Sequence, residues 1–191
     1  MKKIMGVGLV VFLSLGILSG CSLLSGNANG LVTYGNEQQI NTVINNNKSD
    51  IKEKDTYKVK LTTVEGKKVL VLDKKTGEEF VKKELLKKVE NDNTKAIDKL
   101  PTIKANQGIL FAKEKIGAAK INETSLKYEG NSIIGDSRVY VDMFAIVDDT
   151  AYHNIEGEEK SVAILKFNKD PKDTVMNAKK DTEAVQLVKI N

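Results

Sequence analysis

The chain has a single histidine, and it ends the sequence Asp148-Asp149-Thr150-Ala151-Tyr152-His153. A histidine that is oriented by a carboxylate can act as a general base, because the acid stabilises the charged imidazole. The hydroxyl nucleophiles nearest in the sequence are Ser137, Thr150 and Ser161. The same acid-rich segment is also typical of a solvated loop between two strands. We favour the loop, and the alternative is hydrolysis by His153 with Asp148 or Asp149.

Few side chains in this sequence are of the types that bind metal ions. The chain has one histidine and one cysteine, whereas zinc sites are built mainly from these two residue types. A calcium site would use oxygen ligands. The acids that could supply them are Asp148, Asp149, Glu156 and Glu158. Their spacing is not that of an EF-hand loop, so we expect no metal and no cofactor.

Asp142 lies within the alternating stretch from Arg138 to Asp148. Alternate side chains of a strand share a face, so this stretch predicts Asp142 on the same side as Tyr140 and Phe144. An ionised carboxylate buried there would be costly without a partner. One interpretation is a pocket carboxylate that contacts a ligand. The interpretation that we favour is a partly exposed face, or a partner such as Arg138.

Pairs of lysines recur along the chain. They begin at Lys67, Lys74, Lys82, Lys87 and Lys179. Docking on anionic wall polymers or lipid head groups would require these pairs to converge on one face of the protein. In the predicted helix around them, acids precede lysines by four residues, as Glu78 precedes Lys82, and such charges partner each other. We favour a solvated helix face.

Charge and composition argue against a nucleic-acid partner. The chain has 30 basic and 26 acidic residues, a formal net charge of +4. Without residues 1–20, which contain two lysines, the balance is 28 to 26, or +2. Arg138 is the only arginine, and arginine is the residue best suited to bidentate contacts with phosphates and base edges.

The first twenty-one residues have the order of charged, apolar and small residues that is typical of an export signal. Lys2 and Lys3 precede an apolar run, Ile4 to Leu18, and small residues follow it. The run is 15 residues long, whereas a membrane-spanning helix needs about 20. The tetrapeptide Leu18-Ser19-Gly20-Cys21 resembles the lipobox of bacterial lipoproteins.

This resemblance implies that Cys21 receives a diacylglyceryl group and that a peptidase removes residues 1–20. Two acyl chains anchor a protein stably, whereas one gives only reversible binding. We therefore expect a protein that is lipid-anchored through Cys21 to the cell membrane and faces the extracytoplasmic side. A further partner would be another envelope protein or a small ligand.

The remaining sequence predicts one domain. Residues 21–30 are small and polar, which predicts a flexible tether. Residues 31–191 are of the length of a single globular domain, in which a soft boundary could fall at 45–55. Alternating or apolar segments predict strands at 31–34, 57–61, 69–72, 108–112, 138–148, 161–168 and 184–190.

Helical spacing is clearest from Glu78 to Glu90, where apolar residues recur every four positions from Val81. Residues 36–44, 91–99 and a segment that opens at Asp170-Pro171 also have helical features. Strands and helices do not alternate regularly, which predicts an α+β fold. We expect a mostly antiparallel sheet of about six or seven strands with two or three short helices.

The function that these features favour is a non-enzymatic binding or interaction module outside the cytoplasmic membrane. A chain of this size can bury a stable core, and its sequence offers no convergent set of catalytic residues. The alternative is a cell-envelope hydrolase. It would require His153 to lie about 3 Å from a carboxylate and to open onto a cleft.

Overall fold

The computed structural model describes residues 28–91 and 93–191, so Cys21 and the predicted signal segment lie outside it. The described residues form twelve strands and four helices. In chain order these are β1 (Gly30–Gly35), α1 (Glu37–Asn46), β2 (Ile51–Val64), β3 (Lys67–Asp73), α2 (Lys74–Lys82), β4 (Leu86–Glu90), β5 (Asn93–Ala96), β6 (Gln107–Ala112), β7 (Ala119–Ile121), β8 (Thr124–Tyr128), β9 (Ser132–Ile134), β10 (Met143–Val147), α3 (Asp149–Asn154), β11 (Glu158–Phe167), α4 (Lys172–Asp181) and β12 (Ala184–Val188).

Nine strands form the main sheet, in the order β12-β1-β11-β2-β3-β10-β6-β8-β7. The pairs β3–β10 and β6–β8 are parallel, and the other neighbours are antiparallel. The fold is α+β in one domain, as predicted, but the expectation of six or seven mostly antiparallel strands is wrong, as is that of two or three helices, because the described residues form four. The sheet is mixed and larger, because strands as short as the three residues of β7 are too brief to show a period of two.

A second sheet of three antiparallel strands has the order β5-β4-β9, and its strands β4 and β5 form where the sequence predicts helix. The helix α2 begins at Lys74, after Asp73 accepts a hydrogen bond from the Thr76 N–H at 2.6 Å, and it ends at Lys82. Glu84 then adopts a left-handed conformation with φ of 55°. Leu86 pairs with Ile134 of β9. The spacing of apolar residues from Glu78 to Glu90 is therefore shared between a helix and a strand.

The core lies on both faces of the main sheet. Side chains of β1 alternate, so Val32 and Tyr34 face one cluster while Leu31 faces another. We call the first side the front face, which α2 and the small sheet cover through Phe80 and Leu86. The back face carries two clusters, one beneath α1 and α4 and one beneath α3.

The predicted strand 138–148 is shorter in the structure. Only Met143–Val147 is a strand, and residues 136–142 form a loop against the front face. In this loop the ring of Tyr140 stacks on that of Tyr34, with centroids 4.8 Å apart. Val139 and Val141 continue the alternation of apolar residues of β10 toward the N-terminus, so the sequence pattern includes residues that fold as a loop.

The two ends of the described chain are joined beside β1. The Asn29 side chain donates to the Ile190 carbonyl oxygen at 2.8 Å and accepts from the Ile190 N–H at 2.7 Å. Strand β1 is itself paired on both sides, with β11 and β12. Across residues 28–91 and 93–191, no helix has the length and apolar character needed to cross a bilayer.

Candidate binding site

A groove of about 390 Å³ separates α2 from the irregular segment 98–103 on the front face. Pockets for small ligands have volumes of about 300–1,000 Å³. The apolar lining residues are half-buried, and most of the polar ones are exposed. The apolar residues are Val81, Leu100, Pro101 and Ile103, and the polar residues are Lys74, Glu78, Asp98, Lys99 and Thr102. The groove thus has an apolar floor and a charged rim.

Gly77 lets α2 pack closely against its neighbours at this groove. A Cβ added there would lie 2.8 Å from Ile146 Cδ1 and 3.1 Å from Leu100 Cδ1. Side chains do not tolerate the first distance without shifting. The glycine therefore fixes the distance between the helix and the segment that forms the other wall.

The segment 98–103 keeps its backbone polar groups free. Within the described residues, no hydrogen bond joins the backbone of this segment to another group. Chain outside secondary structure leaves N–H and C=O groups for water or for a ligand. Pro101 supplies a carbonyl and no N–H.

The rim of the groove carries both signs of charge in equal number. Lys74 and Glu78 approach to 3.7 Å across one turn of α2, and both are about half exposed. Ion pairs of this kind contribute little to stability. Asp98 and Lys99 lie on the opposite wall, so the rim suits a ligand that has both charges or is neutral.

A second cavity lies beneath the loop 136–142. It holds about 20 Å³, which is room for about one water molecule. Its lining includes Tyr34, Arg138 and Tyr140. Its size leaves no room for a ligand larger than water, and the side chains of Tyr34, Arg138 and Tyr140 are used in hydrogen bonds within the fold.

A charged network centred on Glu183 adjoins this cavity through Tyr140. Tyr140 donates to Glu183 Oε2 at 2.7 Å, and buried Lys160 donates to Glu183 Oε1 at 2.6 Å. Lys160 also pairs with Glu158 at 2.6 Å. Burial would raise the pKa of Glu183, but the hydrogen bonds from Lys160 and Tyr140 outweigh it and hold that pKa below its ordinary value.

Burial and the bond to Glu183 raise the pKa of Tyr140 above its ordinary value. Burial also raises the pKa of Tyr34. Both phenols therefore stay protonated at neutral pH and hold the loop on the sheet. We interpret this network as structural, because each of its polar groups already has a partner within the protein.

Arg138 organises the turn before β10. Its guanidinium donates to Asn131 Oδ1 and to the Ser132 carbonyl, both at 2.7 Å, and to the Asp142 carbonyl at 3.0 Å. Burial lowers the pKa of Arg138 from its ordinary value. The only arginine of the chain thus satisfies loop groups rather than an anionic ligand.

Asp142 does not lie in a pocket. It is exposed, and its carboxylate accepts a hydrogen bond from the Lys68 N–H at 2.9 Å. This bond fastens the loop to the start of β3. Asp142 is therefore a loop contact and not the pocket carboxylate of the alternative interpretation, because the strand begins only after this residue.

His153 and its neighbouring acids are not brought together. Asp148 caps the first turn of α3, where it accepts from the Ala151 N–H at 3.0 Å, while His153 is exposed in the last turn. No carboxylate of the described residues lies within 4 Å of the His153 imidazole. Asp149 is exposed in the first turn. A helix replaces the expected loop and separates the base from the acid that should orient it.

The acids considered for calcium do not form a ligand cluster either. Over residues 28–91 and 93–191 there is no group of three or more histidine, cysteine or acidic side chains that could hold a metal ion. Asp148 is occupied as a helix cap, and Glu158 pairs with Lys160.

The lysine pairs do not share a face. Those at Lys74, Lys82 and Lys87 belong to α2 and β4 on the front, whereas the pair at Lys179 belongs to α4 on the back. Lys87 is bound to Asp136 at 2.5 Å. The convergence that docking by these pairs would require is absent among them.

The chain is similar to known proteins over the whole of residues 28–191. A family model described as an uncharacterised lipoprotein family matches residues 28–191, and the chain belongs to that family. The crystal structure of a candidate lipoprotein from Bacillus anthracis is similar, with 36% sequence identity and a TM-score of 0.83. The match covers 86% of this chain and 100% of that one. No curated protein matches.

Membership of this family supports the lipoprotein character that the sequence predicts, and with it association with a membrane of the cell envelope. Cys21, the residue that the lipobox predicts to be lipidated, lies outside the described residues, so its lipidation stays a prediction. The groove beside α2 was not predicted from the sequence.

Proposed function

We propose that this protein is a non-catalytic binding module, held by a lipid on Cys21 at the extracytoplasmic side of the cell membrane. Its groove between α2 and segment 98–103 binds a short peptide of mixed charge. The observation that carries this proposal is the apolar floor of the groove beside a segment whose backbone polar groups have no hydrogen-bond partner among the described residues.

A peptide suits this groove for two reasons. An extended peptide can pair its own N–H and C=O groups with those of the segment 98–103, which is how strand addition gives affinity. Its apolar side chains can then displace water from Val81 and Leu100 on the floor. The rim supplies a positive and a negative group on each wall, which matches a peptide carrying both charges.

The groove lining supports a non-catalytic role. Thr102 is its one hydroxyl group, and its lining residues include neither histidine nor cysteine. Nucleophilic catalysis needs a base within hydrogen-bond reach of the nucleophile. The hydrolase alternative that uses His153 gains no support from a residue of this groove.

The proposal is tested with a peptide library selected against the mature chain and with synthetic peptides from the selected sequences. The variant Val81→Glu places a charge on the floor and should weaken binding at least about tenfold, which is about 1.4 kcal/mol. The matched control is Val139→Glu, because Val139 is 44% exposed and lies outside the groove.

Thermal unfolding of both variants establishes that the comparison is between folded proteins. Equal peptide affinity for the two variants would place the site elsewhere. A library that yields no binding peptide would contradict the proposed ligand class.

A further inference from the structure

The start of β1, which follows the predicted tether, lies at one end of the main sheet beside the ends of β11 and β12. Gly30, at the start of β1, pairs with Lys166 near the end of β11 and with Val188 at the end of β12. Phe167 pairs with Ile51 at the start of β2. We call this end, where the described chain begins, the anchor-proximal end. The anchor-distal end is the opposite one, where β1 finishes and β11 and β12 begin.

Lysines outnumber acids at the anchor-proximal end. Seven lysines lie there, namely Lys48, Lys52, Lys54, Lys166, Lys169, Lys172 and Lys189. The acids there are five, namely Asp50, Glu53, Glu84, Asp170 and Asp173, and Glu84 accepts a hydrogen bond from the Asn191 side chain. The anchor-distal end carries both signs of charge, with Glu158 and Glu183 on Lys160 and with Lys68 close to Glu183.

Both ends include lysines without an acidic partner. At the anchor-distal end, Lys160 binds two carboxylates at 2.6 Å each, whereas Lys58, Lys179 and Lys180 have no acid within 4 Å in the described part of the chain. At the anchor-proximal end, Lys169 reaches Asp50 at 3.3 Å and Lys52 reaches Glu53 at 3.7 Å, all with exposed side chains. Lys48, Lys54 and Lys189 have no acid within 4 Å in the described part of the chain.

The exposed members of this set that have weak partners or none are Lys48, Lys52, Lys54, Lys169 and Lys189. We call them the anchor-proximal lysines. Weakly paired, exposed ammonium groups keep their charge available to an external anion. Each such group near an anionic membrane surface adds to the attraction.

The length of the tether brings these lysines close to a membrane. Seven residue steps separate Cys21 from Ala28, and even a fully extended chain of that length spans at most about 25 Å. A lipid on Cys21 would therefore hold the anchor-proximal end near the head groups. The anchor-distal end lies a further six-residue strand away, about 20 Å.

We propose that the anchor-proximal lysines bind the phosphate groups of anionic phospholipids in the leaflet that holds the lipid of Cys21. This inference rests on the anchoring part of the proposed function and is independent of the groove. The contact would orient the domain with β1 directed away from the membrane. Electrostatic attraction decays over a Debye length of about 10 Å at 0.1 M salt, so the contact should weaken as salt rises.

The experiment uses the acylated full-length mature protein in phosphatidylcholine vesicles, with or without phosphatidylglycerol. An amine-reactive label is read at individual lysines by mass spectrometry. Phosphatidylglycerol should lower labelling of the anchor-proximal lysines several-fold and leave Lys179 and Lys180 unchanged. High salt should restore the labelling. Equal labelling of both ends in both vesicles would overturn the proposal.

Charge variants separate this contact from a general effect of positive charge. The variant Lys52→Gln, Lys54→Gln, Lys189→Gln should lose the protection of Lys48 and Lys169. The matched control removes the same charge elsewhere, with Lys120→Gln, Lys179→Gln and Lys180→Gln, and should keep that protection. Loss in both variants would contradict a local contact.

Two further outcomes would also overturn the inference. Protection by a soluble poly(glycerol phosphate) but not by vesicles would assign the lysines to a wall polymer. Failure of the protein to float with either vesicle would remove the anchoring on which the inference rests. Peptide binding to the same samples tests the groove separately, so the two proposals can fail independently.

Discussion

Tyr140 joins three parts of the fold through one ring and one hydroxyl group. Its ring stacks on Tyr34 of β1, and its hydroxyl donates to Glu183, which also accepts from Lys160 of β11. Hydrogen bonds to charged groups are stronger than those between neutral groups. The loop 136–142 is therefore held on the sheet by a charge-assisted contact.

Replacing Tyr140→Phe should lower the free energy of unfolding by about 1 kcal/mol, because the exposed carboxylate of Glu183 loses a hydrogen-bond donor and keeps Lys160. Urea unfolding measures the change. The control is Tyr128→Phe, whose hydroxyl donates over a longer 3.4 Å to the Ala112 carbonyl, and a smaller loss is expected. Equal losses would show that the bond to Glu183 adds nothing particular.

The same bond makes stability depend on pH on the acid side. The pKa of Glu183 is held below its ordinary value in the fold, so its contribution is present above the ordinary pKa of about 4.3 and is lost as pH falls through the lowered one. The variant Tyr140→Phe should lose less stability on acidification than the native protein. Urea midpoints measured down the acid range test this, and parallel curves would contradict it.

Tyr57 should make the stability of the protein depend on pH in the alkaline range. Burial, with Asp55 and Glu79 nearby, raises the pKa of Tyr57 to about 12, whereas the unfolded value is about 10. Between these values the unfolded chain releases a proton that the fold retains, so stability falls as pH rises. Tyr57→Phe should flatten this fall and change little at neutral pH. Chemical unfolding across this range measures it, and an unchanged slope would count against the shift.

At the level of elements, α2 and the segment opposite it create the groove. They are about twenty residues apart in the chain, and only the approach that Gly77 permits sets the width between them. Helix-on-sheet packing at this distance leaves space for a ligand but not for an additional side chain.

Gly77→Ala should therefore destabilise the protein by about 1 kcal/mol. Alanine adds about 1 kcal/mol of helix stability over glycine, but overpacking against Ile146 and Leu100 costs about 1–3 kcal/mol. The control is Gly117→Ala, where an added Cβ would meet nothing within 4 Å. Thermal and urea unfolding compare the two, and a Gly77→Ala protein as stable as the native one would contradict the close approach.

Sequence patterns correctly predict the strands in which every successive residue is apolar and buried. The apolar runs at 69–72 and 108–112 are strands of the sheet centre, β3 and β6, as expected. The helix predicted to Glu90 fails because Leu86 is recruited to pair with Ile134, a contact 48 residues distant that no local period contains. The groove could not be predicted for the same reason, because segment 98–103 has no periodic pattern of apolar residues.

Candidate site residues were harder to predict than strands. Asp148 and His153 have the residue types of a catalytic pair, but a helix between them directs the acid to its own first turn. Asp142 has the pattern of a buried carboxylate, but the chain leaves the strand before it. Residue type and spacing indicate chemistry only when the intervening backbone is known.

For the whole molecule, we expect the lipid predicted on Cys21 to decide where the protein is located. Cys21→Ser should move the protein from the membrane fraction to the soluble fraction and abolish its acylation, because two acyl chains supply the stable attachment. Cell fractionation with a fatty-acid label measures both. Ser25→Ala, a change in the predicted tether, should leave the protein in the membrane fraction. A Cys21→Ser protein that stays in the membrane would show that another element holds it.

The position of β1 between two partners has a mechanical consequence. A pull on the globule away from its anchor enters at Gly30 and runs along β1, which is hydrogen-bonded to β11 on one side and β12 on the other. Such a load shears both ladders at once, whereas an edge strand can be peeled one bond at a time. The attachment point is thus a place where the fold resists tension well.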